Sequence, residues 1–342
     1  MDSLTQVRLT RELIDIDSTT GREAEAGELI SRALERLGFD VSRQPLGDGR
    51  FNVLAGMEQP AVVLSTHFDC VPPFFPSRED SGLIYGRGSC DAKGTLVAQI
   101  AAAHRMRASG ERRVGLLFVV GEERGSDGAR LANTTPPGSR FLINGEPTGN
   151  KLGAATRGVY RAKLRASGRA AHTSRPELGE SAIDKLVDAI TALRGGQWPA
   201  ADDLGRTFYT VGLISGGVAP NVIPASAEAE LMFRTVGDHV PLRREIEART
   251  GGLVAVEDVL VVPPVRLKTL DGFDSEVFSF TTDIPFLDRW GTPLLLGPGS
   301  VTVAHTDEEH VAVSDLLRAS DLYEQLSRRL LSNLDRGGHG GN

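Results

Sequence analysis

The spacing of apolar residues changes along the chain, and each change marks an element. Over residues 22–37, Ala26, Leu29, Ile30, Ala33, Leu34 and Leu37 recur at helical spacing, and Gly38 follows as a stop. Thr20 and Glu23 have the spacing of a capping box, which predicts where that helix starts. Ala61–Thr66 is a short apolar run that reads as a buried strand. Lys93–Ala108 is alanine-rich and helical, Arg113–Gly121 is strand, Ser126–Ala132 a short helix and Arg140–Asn144 a third strand. Strand, helix, strand, helix, strand predicts right-handed crossovers and a parallel sheet.

Near residue 157 the pattern becomes alternating. Tyr160, Ala162 and Leu164 stand against Arg161, Lys163 and Arg165, as in a half-exposed strand over Gly158–Ala166. A helix (Ser181–Arg194), two strands (Phe208–Ile214, Ala227–Arg234), a second helix (Pro241–Arg249) and a strand (Val256–Val262) follow. That β-α-β-β-α-β order predicts a ferredoxin-like sandwich. From about residue 267 the first pattern returns and ends in an amphipathic helix over 315–331, with Ser314 placed to cap it. The expected architecture is an α/β domain with a mostly parallel mixed sheet, built from residues 1–156 and 267–342. A smaller ferredoxin-like domain, residues 157–266, is inserted into it. Residues after 334 read as a disordered tail.

Composition narrows the functional classes. A length of 342 residues suits two domains, and 40% hydrophobic with 24% charged residues describes an ordinary globular chain. Acidic residues outnumber basic ones 45 to 38, which argues against nucleic acid as a partner. No apolar run is long enough to span a membrane, and the N-terminal stretch has no signal-peptide core. The two cysteines, Cys70 and Cys90, suit a reducing compartment, so a cytoplasmic protein is expected.

Ligands of open parallel sheets bind beyond the carboxyl ends of the strands, and here those ends carry metal-binding residue types. His67 and Asp69 follow the first strand, Glu122 and Glu123 the second, and Glu146 the third. Asp91 precedes the 93–108 helix in GRGSCDAKG, and His305 lies in AHTDEEH after a glycine-rich turn. Each alone has an ordinary structural reading; together they predict a metal site. His67 and Asp69 are two apart in an extended segment, so the Asp69 carboxylate can accept the imidazole N–H and fix its tautomer. The cysteines have the opposite parity to these aspartates and read as buried packing.

The segments STHFDCVP, GRGSCDAKG, VVGEERG, NGEPT, GRAAHTS, GGVAPNVIP and GPGSVTVAHTDEEHV occur in this order. Nearly the whole chain resembles the acetylornithine deacetylase / succinyl-diaminopimelate desuccinylase / carboxypeptidase G family of dinuclear zinc hydrolases. The resemblance implies a zinc-exopeptidase-like catalytic domain and an inserted lid or dimerisation domain. It implies two Zn²⁺, with Co²⁺ as a substitute: one held by His67, Asp91 and Glu146, the other by Asp91, Glu123 and His305. Asp91 would bridge the ions, Asp69 would orient His67 and Glu122 would be the general base. It also implies a cis peptide at Asp91–Ala92. His172 would reach the active site of a partner subunit in a homodimer, while Asn221 and Arg234 would contact substrate, the arginine through a carboxylate. Alone, His172 reads as a surface histidine and Arg234 as a solvated charge. The row Arg157, Arg161, Arg165 and Arg169 reads as a solvent face.

The chemistry this supports is hydrolysis of an amide. Two divalent cations outweigh three carboxylates by one charge, which favours removing a proton from water held between them. Glu122 can take that proton and pass it to the leaving amine. A phosphate loop is excluded because the order is Lys93-Gly94-Thr95, and no G-x-S-x-G elbow is present. The expected substrate is an N-acyl amino acid, as for an acetylornithine-type deacylase. A dipeptidase or carboxypeptidase acting on short peptides is the alternative within the same chemistry. A metal-dependent binding protein without activity is the alternative outside it, and the retained Glu122 argues against that.

Overall fold

The computed structural model describes residues 1–337. The described residues divide into two compact units: residues 1–154, 267–276 and 282–337, and residues 155–266 with 277–281.

The first unit is built on a six-stranded sheet. Its order is Val41–Gly47, Arg50–Ala55, Val114–Val119, Val62–His67, Phe141–Asn144 and Thr292–Leu295. The last four strands run parallel, and the Val41–Ala55 hairpin joins antiparallel at one edge. Val62–His67 and Val114–Val119 are buried along their whole length, which is why they read as unbroken apolar runs. Helix Gly94–Ala108 is also buried nearly all round. Its Ala98, Ala102 and Ala103 sit in the same cluster as Leu64, Leu116 and Ile143 of the sheet and Leu316, Tyr323 and Leu326 of the C-terminal helix. Small side chains let sheet and helix approach, while each fully buried leucine contributes roughly 1.5–3 kcal/mol.

The second unit is the expected ferredoxin-like sandwich. Its antiparallel sheet has the order Phe208–Gly216, Ser226–Thr235, Gly158–Ser167 and Ala255–Val262. Helices Ala182–Arg194 and His239–Thr250 bury Leu186, Leu193, Leu242 and Ile246 with Tyr160, Leu164, Leu231 and Phe233. The opposite parity carries cross-strand ion pairs, Arg161 with Glu230 and Arg165 with Glu228 and Glu257.

Three local expectations fail. The Thr20–Glu23 capping box does not form. Helix Ala24–Arg36 starts without a side-chain cap, because Glu23 accepts from Gly21 N and pairs with Arg50, while the Thr20 hydroxyl donates to Asp69. Ser314 does not cap the last helix, which already begins at Val313 in continuation of strand His310–Ala312. The same helix runs to Gly337, so residues 335–337 are ordered; the rest of the expected tail lies outside the described residues.

Candidate metal centre

Strand register brings the first ligands together. Ser65 pairs with Asn144 in a parallel ladder, so Glu146, two residues past Asn144, emerges beside His67, two residues past Ser65. His67 Nε2 lies 3.9 Å from Glu146 Oε2 and 3.0 Å from Asp91 Oδ1. The other Asp91 oxygen, Oδ2, lies 3.2 Å from His305 Nε2, which is also 3.0 Å from Glu123 Oε1. Two ligand groups therefore share one carboxylate: His67, Asp91 and Glu146, and Asp91, Glu123 and His305, with the ligand atoms of each group within 4.8 Å of one another.

Asp91 sits in a turn of irregular backbone, and the peptide Asp91–Ala92 is cis, as the family resemblance implied. The turn depends on close approach of backbone. Gly88 has φ 85°, and a Cβ there would lie 2.5 Å from Cys70 Sγ. Both cysteines are free and buried, in accord with a packing role. His305 itself has φ 63°, a left-handed conformation that costs a non-glycine residue of order 1–3 kcal/mol and that concentrates at functional sites.

Asp69 does more than the sequence predicted. His67 Nδ1 bonds the Asp69 backbone carbonyl at 3.1 Å, and the Asp69 carboxylate lies 3.4 Å from that nitrogen instead of taking the bond itself. The carboxylate accepts from Glu122 N (3.1 Å), Glu123 N (3.3 Å) and the Thr20 hydroxyl (2.8 Å). Burial opposes its ionisation, but these donors and His67 hold its carboxyl below the usual range. Asp69 thus fixes both His67 and the Glu122–Glu123 turn.

The cluster is anionic and largely buried, with His305 at its exposed side. Burial pushes the Glu122 and Glu146 carboxyls well above their ordinary range, helped by Glu146, Asp283 and Glu123 around Glu122 and by Asp91, Asp283 and Glu123 around Glu146. Hydrogen bonds to Asp91 and Glu123 raise His305 to about 10. Glu146 Oε1 is buried with no hydrogen-bond partner among the described residues. Converging buried carboxylates with an orphaned oxygen and two neutral-capable imidazoles are what divalent cations would satisfy, so the donor set fits a dinuclear centre.

Sequence reasoning missed four residues here. Thr20 reads in the sequence as a helix cap, but its hydroxyl donates to Asp69. Asp283 is buried, and among the described residues neither of its carboxylate oxygens has a hydrogen-bond partner; burial raises it to about 6. Its segment TTDIPF has no feature in the sequence that points to the centre. Arg87 and Glu309 form a buried ion pair beside Asp91. Glu309 could have been noticed from its place in AHTDEEH, four residues after His305.

The remaining candidates belong to the second unit. Its loops bring His172 and Asn221 side by side, with Thr173 N donating to Asn221 O at 3.2 Å; both residues are exposed. Ser174 N donates to His172 Nδ1, so a neutral His172 ring carries its proton on a free Nε2. Arg234 lies on strand Ser226–Thr235 opposite Phe208 and Val159. Its guanidinium is partly buried, its pKa is lowered by that burial, and it has no anionic partner among the described residues.

Known proteins are similar to this chain in sequence and fold. Residues 63–329 match Peptidase family M20/M25/M40. A probable carboxypeptidase of Aspergillus clavatus is 35% identical over 364 residues, covering 94% of this chain and 88% of that protein. A Peptidase M20 domain-containing protein of Schizosaccharomyces pombe is 34% identical over 333 residues, covering 94% and 83%. The crystal structure of aminopeptidase PepT from Bacillus cereus superposes with a TM-score of 0.80 at 19% identity, covering 97% of this chain and 99% of the other. Among the described residues no helix is long and apolar enough to cross a membrane.

Proposed function

The chain belongs to peptidase family M20/M25/M40 and is a metallohydrolase acting on amide bonds, and on that premise we propose that it removes a C-terminal amino acid bearing a free carboxylate from an acyl or peptidyl group. The observation that carries this reading is the pair of ligand groups sharing Asp91, with Glu122 beside ligand Glu123 yet in neither group.

His67, Asp91 and Glu146 would hold one zinc ion and Asp91, Glu123 and His305 the other, with cobalt as a substitute. Bound there, the ions would polarise the scissile carbonyl and acidify the attacking water. Glu122 takes the proton from that water and delivers it to the leaving amine, for which its raised pKa suits it. Asp69 keeps Glu122 in place through the backbone. His172 donates its Nε2–H to the carbonyl oxygen as negative charge develops there, acting on the site of a partner subunit. Asn221 contacts the substrate, and Arg234, desolvated and without an anion, pairs with the substrate carboxylate.

The role of His172 requires a homodimer through the inserted unit, which is part of the same proposal. Strand Phe208–Gly216 is an edge of its sheet, and Leu213 and Ile214 on it are 64% and 60% exposed. An unpaired edge with exposed large apolar residues is suited to pairing with a second copy. The free buried cysteines accord with a cytoplasmic setting. Acetylornithine-type deacylation and carboxypeptidase action share the same leaving group, and the name of the Aspergillus relative supports peptidyl substrates alongside N-acyl amino acids.

The test is a panel of N-acetyl and N-succinyl amino acids and dipeptides, each with its C-terminal carboxamide counterpart, assayed on zinc- or cobalt-loaded protein. A charge-assisted contact of about 1.5–3 kcal/mol predicts a preference of roughly 10- to 150-fold for the free acid. Arg234→Met should abolish that preference mainly through KM. Equal hydrolysis of acid and carboxamide forms refutes the carboxylate assignment.

A further inference from the structure

Glu309 is completely buried, yet it belongs to neither ligand group. One of its oxygens, Oε1, accepts from the backbone N–H of Asp91 and from that of Cys90, each at 3.3 Å. The other, Oε2, accepts from Arg87 Nη1 at 2.6 Å. Arg87 is 1% exposed and is held in turn by the Pro73 carbonyl. Glu309's own backbone carbonyl accepts from Gly86 N, so the loop that carries His305 is tied to the turn that carries Asp91 at two levels. A buried ion pair is weak support for stability alone, since well-packed apolar residues often serve as well. Its use must be sought in what it positions.

We propose that Glu309, neutralised by Arg87, is the positioning residue of the bridging ligand: it fixes the Asp91 backbone so that the two carboxylate oxygens face His67 and His305. His305 and Glu309 are four residues apart in one loop, and both reach Asp91, one at its carboxylate and one at its N–H. The spacing between the two metal-binding groups is therefore set from one segment. Partners of ligands in this position typically change metal affinity or activity 10- to 100-fold when removed.

This inference rests on the metal-centre reading, and the experiment separates the two. Cobalt binding is measured by titration and by the visible absorption of the bound ion. The native protein is compared with Asp91→Asn and with two double variants, Arg87→Met/Glu309→Gln and Arg87→Met/Glu309→Leu. Both double variants lose the ion pair, but only the glutamine keeps an oxygen on the two N–H groups. The expected result is native-like cobalt affinity and spectrum with glutamine. With leucine, affinity for at least one ion falls 10- to 100-fold, the spectrum shifts and kcat drops while KM stays within twofold. Equal affinities and spectra in the two double variants overturn the role of Glu309. Should the leucine variant not fold, Arg87→Met/Glu309→Met takes its place: a 10- to 100-fold loss relative to the glutamine variant upholds the role, and affinity equal to it overturns the role. Unchanged two-ion binding in Asp91→Asn instead overturns the metal centre itself.

Discussion

Replacing Asp69 by asparagine tests whether the Glu122–Glu123 turn is held by a carboxylate behind it. Oδ1 of Asp69 accepts from Glu122 N, and Oδ2 accepts from Glu123 N and the Thr20 hydroxyl. An asparagine presents one oxygen and one NH₂, so either orientation sets two donors against each other at Glu122 or at Glu123. The lost contact is a charge-assisted hydrogen bond in a buried place, about 1.5–3 kcal/mol. If that energy holds Glu122 in its working position, kcat falls about 10- to 150-fold. KM should stay within twofold because Asp69 is buried behind the turn and is assigned no contact with substrate. Stability to urea should drop by about the same 1.5–3 kcal/mol, a sizeable share of a typical domain's total. Thr20→Val removes only the hydroxyl donor and should change kcat less than threefold. A folded, metal-loaded Asp69→Asn protein with kcat within threefold of native would refute the reasoning.

Glu122→Gln should retain two metal ions by elemental analysis, since Glu122 lies in neither ligand group, and should lose turnover; residual activity near native removes it from the base role. In chelator-treated protein, His305 is raised from 6.5 to about 10 by hydrogen bonds to Asp91 and Glu123, and His67 is raised in the same direction despite its burial. A raised folded-state pKa gives stability that is complete below pH 6.5 and is lost as pH climbs toward 10. Melting temperature of the apoprotein should therefore fall across that window more steeply than that of the zinc-loaded protein, whose ligated imidazoles stay neutral; parallel profiles contradict this. If His172 serves a partner subunit, mixing His172→Ala with Glu122→Gln protein should restore part of the activity through hybrid dimers, and no restoration after verified subunit exchange would mean each site is self-contained.

The parallel core was legible because its strands are buried on both faces, and the residues at their carboxyl ends could be counted from the sequence. Helix Gly94–Ala108 was legible for a similar reason, its alanines allowing close packing. The edge strand Val41–Gly47 was not, since it is mostly polar and half-exposed, and three-residue strands such as Arg78–Asp80 carry no periodic signal. Thr20 misled because a hydroxyl three residues before a glutamate looks like a local cap, whereas its partner lies 49 positions away. Arg87 and Glu309 are 222 positions apart, and no local pattern relates them. Contacts of this kind are made by tertiary structure, and a single sequence records only their residue types.

What the structure adds to the ligand residues is a distinction among carboxylates that look alike in the sequence. Asp69 and Glu309 have their oxygens engaged by protein donors, mostly backbone N–H groups, so both carboxyl groups are fixed in place without any ion. Among the described residues the carboxylates of Asp91 and Glu123 meet only imidazoles and Glu146 keeps an oxygen with no partner, so these three retain free coordinating capacity. Glu122 belongs to a third class. Among the described residues no donor holds its carboxylate, no ligand group includes it, and burial favours its protonated form. A carboxylate that the protein neither binds nor assigns to a ligand group is free to take up a proton and release it. Saturated oxygens position the centre and unsaturated ones can coordinate; Glu122, outside both sets like the unbonded Asp283, differs from it by standing next to ligand Glu123, which suits it to proton transfer. Hydrogen-bond saturation thus separates the positioning carboxylates from the coordinating ones, and adjacency to a ligand singles out Glu122.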